Sequence, residues 1–96
     1  MFIVSLTYLK PLPEVDRLLP AHVAYLGEQF ARGIFVASGR KIPRTGGVIL
    51  ARAESREALL AVLKQDPFHR HGVAEYEITE FVPSMTLPEY AGLNEA

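Results

Sequence analysis

Residues 34–53, IFVASGRKIPRTGGVILARA, read as two strands, Ile34 to Arg40 and Gly47 to Ala53. β-branched and apolar residues fill both runs, as a pleated, half-buried surface requires. Between them Pro43, Thr45, Gly46 and Gly47 supply turn chemistry, which implies a hairpin whose loop is longer than two residues. Working outward, each side of this hairpin carries a helical pattern and then one more strand. Upstream, Val15, Leu18, Leu19, Val23, Leu26 and Phe30 recur at helical spacing from Glu14 to Arg32, and Gly33 is a natural stop. Pro20 lacks an N–H and crowds the preceding turn, so a short first turn or a kink is expected there. Before Lys10 to Pro13, Phe2 to Leu9 reads as a strand. Downstream, Ser55 caps a second helix through Lys64 with Leu59, Val62 and Leu63 on its apolar face, and Asp66-Pro67 ends it. Phe68 to Gly72 reads as a turn and Val73 to Val82 as the fourth strand.

The order strand, helix, strand, strand, helix, strand has an economical solution. Right-handed crossovers place both helices on one face of a single four-stranded antiparallel sheet, the α+β, ferredoxin-like βαββαβ plan. Residues 1–82 are then the domain, and residues 83–96, with Pro88 and Gly92, form an irregular tail free to wrap a neighbour. Two helices cover one face only. The row Phe2, Val4, Leu6 and Tyr8 is expected on the other, too apolar to stay wet, so a homodimer joined through the open sheet face follows.

Composition narrows the function classes. The 96 residues are 49% hydrophobic, with 10 Lys and Arg against 11 Asp and Glu. A formal net charge of −1 argues against an electrostatic hold on nucleic acid or an anionic membrane. The strand Gly47 to Ala53 has none of the aromatics on which an RNA-binding sheet stacks bases. With no cysteine there is no disulfide, thiolate metal site or cysteine nucleophile. No apolar run reaches a membrane-spanning length, and no leader pattern precedes the first strand, so the expected location is the cytoplasm.

Two residues stand out as chemistry. His22 is four residues after Leu18 and four before Leu26, in the middle of the first helix's apolar stripe. It is either a core histidine bonded to a carbonyl or an acid/base on the floor of a pocket, where an imidazole suits proton transfer near neutrality. Asp66 continues the apolar face of the second helix. At a helix C-terminus its charge is disfavoured, so either a local turn bond or a nearby imidazolium must compensate it. Both helices lie on one face of the sheet, which brings the two residues into one site. Ser38 and Gly39 close the second strand, where main-chain donors could meet a ligand or a simple bulge could end the strand. Arg40, Lys41 and Arg44 follow and could hold a carboxylate or merely form a solvated loop. His69 and His71 could serve a metal if Asp66 and His22 joined them, but the spacing is loose and no other Cys or His exists, so a solvent-facing turn and no metal are expected. Thr45-Gly46-Gly47-Val48 lacks the lysine and following helix of a phosphate loop. Tyr25 and Tyr76 could line a pocket or simply pack.

His22, Gly33, Ala37-Ser38-Gly39, Ser55, Asp66-Pro67-Phe68 and Gly72-Val73 together resemble the YciI-like (YCII-related) proteins over residues 2–82. The resemblance implies a dimeric α+β barrel, two ferredoxin-like subunits joined sheet to sheet. It also implies a histidine–aspartate active site, mapping onto His22 and Asp66 with Ser38 nearby. A dehydrochlorinase acting on a chlorinated hydroxyquinol is a relative, and muconolactone isomerases share the barrel. These imply cofactor-free proton transfer on small cyclic or phenolic metabolites, with Ser38, Gly39, Arg40 and Phe68 meeting the substrate. Pro20, His69, His71 and the tail beyond Pro83 depart from the family pattern. Two other readings stay open: a non-catalytic metabolite-binding or regulatory dimer, and a purely structural His22–Asp66 contact.

Overall fold

The computed structural model describes residues 1–95. The elements are β1 (Phe2–Tyr8), α1 (Leu12–Ala31), β2 (Phe35–Arg40), β3 (Gly46–Ala51), α2 (Arg56–Leu63), α3 (Pro67–Arg70) and β4 (Ala74–Glu80). Together they make the expected ferredoxin-like α+β fold. The sheet order is β2-β3-β1-β4, and every neighbouring pair is antiparallel. A bulge between Phe35 and Ala37 shifts the β2–β3 register.

The faces of the sheet are the reverse of the expectation. Phe2, Val4 and Leu6 are buried beneath the helices with Phe35, Ile49 and Ala51, not on the open side. From the helices, Val15, Tyr25, Leu59 and Leu63 complete this core. Burying one such large side chain contributes about 1.5–3 kcal/mol, so the row with more apolar area takes the covered face. Across the register, Ile3, Ser5 and Thr7 oppose Leu50, Val48 and Gly46 on one side and Thr79, Glu77 and Glu75 on the other. The open face is therefore a mixed surface in which Ile3 and Val48 are exposed beside two glutamates.

Pro20 does not interrupt α1, which runs unbroken from Leu12, with Pro13 in its first turn. Pro20 is exposed, and the acceptor its absent N–H would have used, the Asp16 carbonyl, lies on the solvent side of the helix with it. The burial stripe of α1 is Val15, His22, Tyr25 and Gln29, while Val23 and Phe30 are exposed. Ser55 caps α2 as expected, its Oγ accepting from the Ala58 N–H at 3.1 Å.

Residues 67–70 form a further helix where a turn was expected, and Asp66 is its N-cap. The carboxylate thus faces helix N–H groups rather than the carbonyl end of α2, which reverses the expected dipole effect. Beyond β4 the tail makes 3₁₀ turns at Pro88–Leu93 and packs on its own sheet, where Arg52 donates to the Gly92 carbonyl at 2.9 Å. The Met1 amino group pairs with Glu95 at 2.6 Å. No helix among the described residues is long and apolar enough to cross a membrane.

Candidate active site

Four elements converge under the sheet. His22 and Tyr25 come from α1, Asp66 and Phe68 from the α2–α3 junction, Tyr76 from β4, and Ser38, Gly39 and Arg40 from the end of β2. Residue 22 falls on the buried stripe of α1, and that alone aims its ring at the α2–α3 junction.

Asp66 is fully buried, and all its donors come from the protein. Its Oδ1 lies 2.7 Å from His22 Nδ1 and accepts the Phe68 backbone N–H at 2.9 Å. Its Oδ2 accepts the Tyr76 hydroxyl at 2.5 Å. As hydrogen-bond acceptors, both oxygens of the carboxylate anion are satisfied by the protein. The anion in turn favours a proton on His22 Nδ1. Among the described residues, the opposite ring nitrogen, Nε2, makes no hydrogen bond, yet no buried side-chain polar atom lacks a partner. Nε2 is therefore open to the cavity that His22 lines. In the neutral ring that nitrogen carries a lone pair, which is the form of a general base.

The imidazole is held by more than this bond. Phe68 stacks on it at 3.9 Å between centroids, and Tyr25 lies alongside at 6.3 Å. The Tyr25 hydroxyl donates to the Val62 carbonyl at 2.8 Å. Burial, then the negative charge of Asp66, pushes the pKa of both Tyr25 and Tyr76 well above the usual phenol range. Both hydroxyls therefore remain neutral donors.

The cavity measures about 180 Å³ and is mostly apolar, walled by Leu6, Tyr8, Leu19, Leu26 and Ile49 around His22. Ser38, Gly39, Arg40, Gly46 and Gly47 line it from the hairpin. Register explains this, since Ser38 opposes Ile49 and Arg40 opposes Gly47 on the helix-covered side. Gly47 is opposite Leu6, and a β-carbon added there would sit 3.0 Å from the Gly39 carbonyl oxygen. The expected residues Ser38, Gly39, Arg40 and Phe68 thus share one cavity with His22, and Asp66 stands behind the imidazole.

At the rim, Arg44 is tied to Asp16 at 2.5 Å and sits over the Tyr8 ring at 5.9 Å, whereas Arg40 forms no ion pair among the described residues. His69 is exposed and lies against the Tyr76 ring, and His71 borders a separate shallow cleft with Glu14 and Arg17. Among the described residues no cluster of three or more His, Asp or Glu is placed to hold a metal ion. Tyr25 and Tyr76 are the site residues that the sequence alone left undecided, and Tyr76 had a signal of its own. The alternation of Ala74, Tyr76 and Ile78 against Glu75, Glu77 and Thr79 is the signal that puts it on the covered face.

Comparison with known proteins agrees with this architecture. Residues 1–82 match the model of the YCII-related domain. A search of curated proteins finds no match. Among solved structures, the 5-chloro-2-hydroxyhydroquinone dehydrochlorinase of Burkholderia phenoliruptrix, in complex with 2,5-dihydroxybenzoquinone, is similar with a TM-score of 0.70. It is 19% identical, and the match covers 84% of this chain and 93% of that one.

Proposed function

This chain belongs to the YCII-related domain family, and on that premise we propose that it is a cofactor-independent lyase or isomerase acting on a small cyclic, phenolic or carbonyl metabolite. One observation carries the reading. His22 offers an unpartnered Nε2 to an apolar cavity while its Nδ1 is held by the buried carboxylate of Asp66. A cavity of about 180 Å³ suits a single six-membered ring, since benzene occupies an apolar cavity of about 150 Å³. The likeness to a dehydrochlorinase that binds a dihydroxybenzoquinone supports the same substrate class.

In this mechanism His22 Nε2 removes a proton beside a carbonyl or phenol carbon. The released electron pair forms a double bond, and either a leaving group departs with its own pair or the proton returns at another carbon. Asp66 orients the imidazole and stabilises the imidazolium that forms. Ser38 and Arg40 hold the polar substituents of the ring, and the Gly39 backbone lets them approach. A second copy of the chain, seated on the open sheet face at Ile3 and Val48, belongs to the same proposal, and sedimentation tests it.

A positioned base contributes about 10²–10⁴-fold. Hydroxyquinols, chlorinated hydroxyquinols and unsaturated lactones form the substrate panel, and His22→Ala is the control. Turnover that falls by that factor in the variant, with ring binding retained, supports the enzyme. Calorimetric binding of a dihydroxybenzoquinone with no turnover of any panel member would instead make the chain a metabolite-binding module.

A further inference from the structure

We propose that Tyr76 is a positioning residue for His22, acting through Asp66; the inference rests on the acid/base reading above. Tyr76 is opposite Leu6 in the β1–β4 register, so its ring enters the covered side of the sheet from the edge strand. There its hydroxyl meets Asp66 Oδ2 at 2.5 Å, and no other donor reaches that oxygen among the described residues. Asp66 has no exposed surface, so solvent does not replace the hydroxyl.

The division of labour on the carboxylate follows. Oδ1 serves His22 and the Phe68 N–H, and Oδ2 serves Tyr76 alone. Anchoring Oδ2 fixes the carboxylate plane, which keeps Oδ1 in line with Nδ1. It also draws part of the negative charge away from the imidazole. Only the neutral ring, with a lone pair on Nε2, accepts a proton, so the charge directed at Nδ1 matters. Tyr76 therefore sets how readily His22 works as a base, without touching substrate. The neighbouring hydroxyl, Tyr25, is committed to the Val62 carbonyl and does not share this task. His69, packed against the Tyr76 ring, is exposed and bonds to neither oxygen.

The test follows the His22 ring nitrogens by NMR across pH in the ¹⁵N-labelled full chain, in Tyr76→Phe and in Asp66→Asn. In Tyr76→Phe the ring titrates at higher pH, by roughly half a unit or more, because the carboxylate turns more of its charge onto it. In Asp66→Asn it titrates at lower pH. Opposite signs are the signature when the Phe68 amide exchanges as slowly as in the parent, since loosened packing that wetted the ring would also move its titration upward. A Tyr76→Phe titration that matches the parent, or moves downward, overturns the inference.

If the phenylalanine variant fails to fold, the parent decides. A Tyr76 hydroxyl proton held on a buried carboxylate exchanges slowly and gives a resolved resonance, and its absence overturns the inference. Failure of the enzyme reading is visible separately. The opposed titration shifts then appear while no ring substrate is turned over, which leaves Tyr76 positioning His22 in a binding site.

Discussion

His22 and Phe68 lie face to face, their ring centroids 3.9 Å apart and their planes 5° from parallel. Phe68 reaches the site twice: its ring backs the imidazole, and its backbone N–H donates to the same Asp66 oxygen that meets Nδ1. The stack covers one face of the imidazole, so the ring is held in the plane that joins Asp66 to the cavity. Phe68→Leu keeps the N–H and removes the stack. Stability falls by about 0.5–1.5 kcal/mol for the aromatic pair, in addition to the lost contact area. Turnover falls while ring affinity changes less. Denaturant unfolding and steady-state kinetics on the one variant check both, and an unchanged midpoint would mean the stack holds nothing in place.

Arg40 and Arg44 sit at one rim but do different work. Arg44 is bound to Asp16 and lies over Tyr8, so its charge is already engaged. Arg40 lines the cavity without an ion pair among the described residues. Arg40→Ala therefore raises KM for a ring bearing a carboxylate or phenolate by about tenfold with kcat little changed, the scale of one charged hydrogen bond. Arg44→Ala leaves KM within about twofold, and added salt narrows the Arg40 effect because that side chain is exposed. The reverse ranking of the two variants would move the anion subsite to Arg44.

Gly46 is required for a different reason. A β-carbon there would land on the Leu6 carbonyl oxygen, where β1 and β3 pass each other. Gly46→Ala must push the central strands apart, and a loss of at least about 2 kcal/mol is expected. Gly27, exposed in α1 with nothing within 4 Å of an added β-carbon, is the natural control. Alanine there stabilises the helix by about 0.5–1 kcal/mol. Thermal unfolding of the two variants shows shifts of opposite sign, and equal shifts would refute the crowding argument.

The order of elements was legible because β-branched and aromatic runs at 2–9 and from 34 bracket the helical stripe of 14–32. His22 was legible for the same reason, as a polar residue at a buried phase. The faces of β1 were not, since Phe2, Val4 and Leu6 compete with Ile3 and Leu9 in an apolar run on both sides, and only the mates in β3 and β4 decide. Pro20 misled because a proline on the solvent side of a long helix frees a carbonyl that water can satisfy. The dipole argument for Asp66 failed locally: Pro67 begins a helix as readily as it ends one, and one residue changed from C-terminal neighbour to N-cap. Gln29, buried and bonded to Arg32 at 3.1 Å, lies on the α1 stripe where Phe30 was expected.

Tyr25 and Tyr76 give the fold an alkaline limit. Burial and the Asp66 charge raise both hydroxyls above the ordinary phenol value of 10.0 in the folded chain. Below pH 10 both tyrosines are protonated whether folded or unfolded, and their contribution is complete. Above it the unfolded chain releases protons that the folded chain retains. Stability then falls with rising pH, by up to about 1.4 kcal/mol per pH unit for each tyrosine. Unfolding free energies measured by denaturant from pH 8 to 11 show this slope, and phenolate absorbance from the pair appears only as the chain unfolds. Tyr25→Phe, which spares the carboxylate, removes its share of the slope. A Tyr25→Phe chain that loses stability with pH as steeply as the parent would mean that Tyr25 ionises within the fold. The carboxylate beside His22 would then sit in a wetter interior than its three protein donors describe.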